Sequence, residues 1–190
     1  MSAFEHVTAL LSFVYALALT HLLARIAELI VARERIKFSG LLALGMVNAI
    51  LLVFVNWLSL WDLRSVASWD LASIAIQFLF AVSVYVICAL IGPKVPDEGV
   101  LDLEDFFWRQ RRYFYGGTII CLVLALLANL DFLKTANTAL FVKENLGTIA
   151  ILVPCVAGLI SRNYVVQWVA GVCVLVMIIG FAILFSSTLS

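Results

Sequence analysis

An all-α, polytopic membrane bundle is the fold class this sequence predicts, on three observations. Hydrophobic residues make up 65% of the 190-residue chain and charged residues only 13%, against roughly a half and a quarter in soluble domains. Mean hydropathy is +1.14. The apolar residues run on for about 20 positions between charged clusters, the length that carries a helix across a ~30 Å hydrocarbon core, and they lack the alternation of barrel strands.

Six transmembrane helices are expected in one integral membrane domain, residues 1–190: spans at 4–32, 40–61, 71–92, 114–133, 146–160 and 164–186. The first has an open far end, since Phe4 to Ala24 is already long enough to cross. The fifth is short; bilayer thinning or flanking groups accommodate such a span, and "TALFV" before Lys143 can extend it. The opening "MSAFEH" has no basic flank and no small-residue cleavage site closes the first apolar stretch, so the first helix is expected to persist in the mature chain.

Charge sets the expected orientation. Arg33, Arg35 and Lys37, then Lys94, Arg109, Arg111 and Arg112, then Arg162 fall in alternate connections, whereas the opposite side carries only Arg64, Lys134 and Lys143. Basic residues accumulate on the cytoplasmic side, which predicts N-out and C-out termini in a bacterial inner (plasma) membrane. Trp57, Trp61 and Trp69 on one side, and Trp108, Tyr113, Tyr115, Tyr164 and Trp168 on the other, mark the two interfaces.

Only the connection between spans 3 and 4 has room for structure of its own. After Pro96 and Gly99 it reads as a short amphipathic cytoplasmic helix, with Asp102, Glu104 and Asp105 early and Arg109, Arg111 and Arg112 late, as the helix dipole favours. Leu103, Phe106, Phe107 and Phe114 share one face. The segment either lies in the interface or extends span 4 into the cytoplasm, and residues 97–113 are thus either an anchor that sets the tilt of span 4 or a surface for lipid headgroups or a cytoplasmic protein partner.

On the first helix, His21, Arg25 and Glu28 form a single stripe at 3.6 residues per turn. If the span ends near Ala24, the stripe belongs to a helical extension with Arg25 paired to Glu28. If it runs from about Leu10 to Ile30, the stripe lies inside the bilayer, where ionisable groups mark ion paths, proton relays or ligand sites. Asn56, Gln77, Asn129 and Asp131 fall in the outer half of their spans and complete the candidate polar pathway. Asn48 and Gln167 are the other amides within or near the spans, and amides of this kind commonly bond across helices. Pro154, on a stripe with Ala150 and Gly158, is expected to kink span 5.

The remaining chemistry is sparse. Cys88, Cys121, Cys155 and Cys173 lie singly on four spans as packing residues, no lysine lies mid-span, and no metal or catalytic motif occurs at recognisable spacing. No cofactor, metal, catalytic residue or nucleic-acid partner is therefore expected. Two function classes stay open: a channel or transporter for an ion or small solute, gated at His21, Arg25 and Glu28, and a non-catalytic membrane sensor or accessory subunit. One copy makes a tight pore, so the lipid-embedded chain is expected to form homo-oligomers.

Overall fold

Long helices and tight connections account for nearly all of the computed structural model, which describes residues 3–66, 69–133 and 138–186. In chain order the elements are α1 (Ala3–Val31), β1 (Ile36–Lys37), α2 (Gly40–Ser59), α3 (Leu71–Ile91), β2 (Leu101–Asp102), α4 (Leu103–Leu133), α5 (Thr138–Glu144), α6 (Leu146–Ile160) and α7 (Tyr164–Ser186), with 3-10 turns at Arg33–Arg35 and Leu60–Ser65. Five helical stretches, 4–31, 40–64, 71–91, 103–130 and 164–183, are long and apolar enough to cross a membrane. The fifth expected span corresponds to α6, whose 15 residues fall below that length. The protein is all-helical in its membrane-type segments, and the helices are apolar enough to be those of a membrane protein.

Local signals fix where these helices begin. Ser39 accepts from Leu42 N at the start of α2 and Asp70 from Ser73 N at the start of α3. Ahead of α4, Asp102 Oδ1 accepts from Glu104 N (3.0 Å) and Asp105 N (3.1 Å). Each cap satisfies amide groups that have no partner within the helix. The Asp102 carboxyl is held below its ordinary range, chiefly by the Asp105 backbone N–H, with Glu104 N–H and Lys37 adding to the effect.

One expectation requires correction. No separate amphipathic helix lies between spans 3 and 4; of the two placements open to this segment, the extension of span 4 is the one found, its residues forming the opening turns of α4, which runs 31 residues without a break. Nothing in 103–133 interrupts it, since this stretch has no proline and Gly116 and Gly117 are accommodated within the helix. The apolar face formed by Leu103 and Phe107 continues directly into Phe114 and is buried throughout, so packing favours extension over a turn. At the other end of the chain, "TALFV" lies in α5, separated from α6 by Asn145.

α3 lies at the centre of the packing, against α4, α1 and α2; α4 then packs on α6, α6 on α7, and α7 back on α2. Ala18, Ala49, Ala81 and Val84 are fully or almost fully buried where helices meet, and small side chains permit such close approach. Phe13, Val153, Ile160, Val176 and Ile183 point outward and are well exposed. A continuous apolar exterior of this kind suits lipid, not water.

At one end of the bundle the connections are tied together. β1 and β2 pair in parallel with Ile36 opposite Leu101 and Lys37 opposite Asp102. Lys37 Nζ lies 3.5 Å from Asp102 Oδ2, and Arg35 Nη1 donates to Asp97 O at 2.8 Å. The α6–α7 connection joins the same end, because Trp168 packs over Gly40.

Candidate functional site

Between α2, α4, α6 and α7, with Ile87 of α3 behind, lies a narrow cavity lined mainly by apolar side chains, including Leu44, Leu52, Phe107, Leu122, Ile151 and Val174. It spans α2 from Leu41 to Leu52, roughly 17 Å at 1.5 Å per residue. The space open to the centre of a water-sized sphere is about 40 Å³, several times the ~10–15 Å³ that one water requires. Two close approaches shape its walls. A Cβ on Gly158 would lie within 3 Å of the Tyr115 ring, and one on Gly171 within 3 Å of Leu44.

The polar side chains facing this space are few and have a common character. Asn48 is 6% exposed and Gln167 1%. Asn48 Nδ2 donates to Gly171 O at 2.9 Å, joining α2 to α7. Gln167 Nε2 donates to Gly158 O (2.9 Å) and Ser161 O (2.7 Å), joining α7 to the end of α6. Because each NH2 faces carbonyl oxygens, reversing either amide would set oxygen against oxygen, so the orientation is fixed by the network. The carbonyl ends, Asn48 Oδ1 and Gln167 Oε1, are buried without a hydrogen-bond partner. Thr118 Oγ1 donates its proton to Phe114 O at 2.9 Å, which leaves it only acceptor capacity. An unpaired buried acceptor costs about 1–3 kcal/mol. Asn48, Thr118 and Gln167 therefore place hydrogen-bond acceptors on side chains that line a mainly apolar chamber, whose other polar members are Tyr115 and Cys155, and no ionised side chain is among its lining residues.

Arg111 closes the nearby end of α6. It is 2% exposed, and its Nη1 donates to Gly158 O (2.8 Å) and Leu159 O (3.0 Å), carbonyls of the last helical turn. Gly158 O accordingly accepts from both Arg111 and Gln167.

The residues expected from sequence to form a pathway are distributed differently. Arg25 Nη1 contacts Glu28 Oε2 at 2.8 Å across one turn of α1; Arg25 also packs over Gly92, and His21 lies against Tyr85 with ring centroids 5.8 Å apart. This triad therefore faces the far end of α3. Asn56 Nδ2 bonds back to Leu52 O of its own helix at 2.7 Å. Gln77 is buried on α3, about 12 Å along the axis from Tyr85 by rise per residue. Asn129 Nδ2 donates to Asn145 Oδ1 at 2.6 Å. The Asp131 side chain and Lys134 lie outside the described residues. Among the described residues, no hydrogen bond or ion pair joins the α1 triad to Asn56, Gln77 or Asn129. Pro154 is buried within α6.

No family model, curated protein or solved structure matches the chain. Geometry alone must carry the functional argument.

Sequence reasoning named Asn48 and Gln167 as in-span amides without assigning them to the site, and it read Arg111 as a dipole charge at the end of a helix. A signal for Arg111 was present: positions 107, 111, 114 and 118 recur at i, i+4, i+7 and i+11, the spacing of one helix face, and all four are buried. Nothing in the spacing of Asn48 and Gln167 reveals that they share a cavity. Their meeting depends on α2 and α7 becoming neighbours across 123 residues of chain.

Proposed function

We propose that this is a non-enzymatic membrane protein that takes a small, uncharged, hydrogen-bond-donating solute into the cavity between α2, α4, α6 and α7, as a step in moving it across the bilayer. The observation that carries this reading is the pair of amide carbonyls, Asn48 Oδ1 and Gln167 Oε1, buried without donors on two side chains that line one cavity. The preference for neutral solutes follows from the walls: an ion entering would shed its hydration against apolar side chains without a counter-charge, a cost far above that of burying a hydrogen-bonded neutral group. Pro154, next to the lining residue Cys155 on α6, removes a backbone hydrogen bond there and supplies a place for the helix to bend.

Reconstituted vesicles test it. Reswelling in urea, glycerol and sorbitol is followed by light scattering after an osmotic step, with protein-free vesicles as reference. Urea or glycerol is expected to enter faster through protein-containing vesicles, sorbitol is expected to be excluded, and Asn48→Leu is expected to abolish the difference. Rates equal to those of protein-free vesicles for all three solutes refute transport.

A second reading, a sensor or accessory subunit with a cytoplasmic partner at residues 97–113, is favoured by the opening turns of α4, where Glu104, Asp105, Arg109 and Arg112 are exposed. Binding of urea or glycerol by the purified protein without flux would select it.

A further inference from the structure

Beside the capped end of α6, the first turns of α4 and the α6–α7 connection enclose an open cleft of about 720 Å³ lined by Trp108, Arg109, Arg111, Arg112, Tyr113 and Arg162. Its charges are poorly compensated. Arg109 is matched by Asp105, with 3.0 Å between Nη2 and Oδ2. Arg111 gives one nitrogen to the α6 carbonyls and lies over the Trp108 ring at 5.6 Å. Arg112 and Arg162 are exposed and have no acidic partner among the described residues. Three guanidiniums thus converge at the point where α4 becomes apolar at Phe114, and like charges held together repel unless an anion lies between them.

We propose that this cleft binds the phosphate of an anionic glycerophospholipid headgroup. Planar guanidinium forks match phosphate oxygens in pairs, and basic pockets between membrane helices bind such headgroups. A lipid suits the surroundings better than a free phosphate does. Trp108 and Tyr113 are interface-type side chains, and Ile160, Tyr164 and Val165, exposed on either side of Arg162, offer acyl chains an apolar surface next to the charges. This site is independent of the solute cavity.

The test uses the intact protein in neutral detergent, with binding of dioleoyl phosphatidylglycerol and dioleoyl phosphatidylcholine read by native mass spectrometry and by the shift in unfolding temperature. Phosphatidylglycerol is expected to bind and stabilise, phosphatidylcholine much more weakly. The Arg112→Gln/Arg162→Gln double variant is expected to lose about 30-fold in phosphatidylglycerol affinity, roughly fivefold for each basic residue. Both side chains are exposed, so the lipid-free unfolding temperature should be unchanged; an Arg112→Lys/Arg162→Lys variant, which keeps the charge, should stay within about fivefold of the parent protein. Arg33→Gln/Lys94→Gln removes the same charge outside the cleft and should leave affinity nearly intact. The proposal is overturned if the two lipids bind alike, if the Arg33/Lys94 variant loses as much as the Arg112/Arg162 variant, or if inorganic phosphate at the same concentration stabilises the protein equally.

Discussion

Replacing each cavity amide by leucine separates what its two ends contribute. In Asn48→Leu the protein loses one interhelical hydrogen bond, Nδ2 to Gly171 O at 2.9 Å, worth about 0.6–2 kcal/mol between membrane helices. It also loses the unpaired Oδ1, and removing a stranded acceptor returns about 1–3 kcal/mol. Gly171 O keeps its own helical partner within α7, so nothing new is stranded. These terms nearly cancel, and the variant should lie within about 1 kcal/mol of the parent protein. Gln167→Leu has the same gain but a larger loss. Two bonds go, and while Gly158 O retains Arg111, Ser161 O loses its Gln167 donor. Ser161 is only part-buried, so the extra bond alone makes Gln167→Leu about 1 kcal/mol less stable than Asn48→Leu. Equilibrium unfolding of the detergent-solubilised protein with increasing dodecyl sulfate measures the difference. If Asn48→Leu costs more than about 3 kcal/mol, its carbonyl was satisfied after all and the inference of a donor-seeking cavity fails.

Three further outcomes are expected. Gly158→Ala drives a methyl group into the buried Tyr115 ring and should destabilise by about 1–3 kcal/mol, whereas Gly116→Ala, with open space around the new carbon, should be neutral or stabilising by up to ~1 kcal/mol; the same unfolding assay compares them. Glu28→Gln breaks a partly exposed ion pair and should cost less than about 1 kcal/mol, and a larger loss would mean that the pair is shielded from water. Asp102 has its folded pKa lowered by the Asp105 and Glu104 N–H groups and Lys37; its contribution is therefore present above the unfolded carboxyl pKa and lost as pH falls through the depressed folded value. Asp102→Asn should flatten the acid limb of the stability–pH profile, and an unaltered limb would show that the cap does not report on folding.

How far the sequence anticipates this structure depends on the range of the interaction. Helix ends are local matters: Ser39 and Asp70 stand where a cap must stand, and α2, α3, α6 and α7 begin at the residues that open the expected spans. The continuity of α4 was harder to foresee, because Leu103, Phe107 and Phe114 define the same apolar face whether the helix stops before Phe114 or runs through it; burial against neighbouring helices decides. The Arg25–Glu28 pair follows from i,i+3 spacing alone. The cavity does not, since its polar members lie on three helices far apart in sequence and each, taken singly, looks like an ordinary interhelical amide or hydroxyl.

The bond from Asn48 to Gly171 also has a history in time. Its partners are 123 residues apart, and at a synthesis rate of about 5–20 residues per second the amide of α2 waits roughly 6–25 s for α7 to emerge. During that interval the nascent chain holds a polar side chain in an apolar helix without its eventual acceptor. The half-made bundle therefore has a reason to remain with the insertion machinery or a protective companion until α7 arrives, and release before α7 should be where newly made molecules are lost.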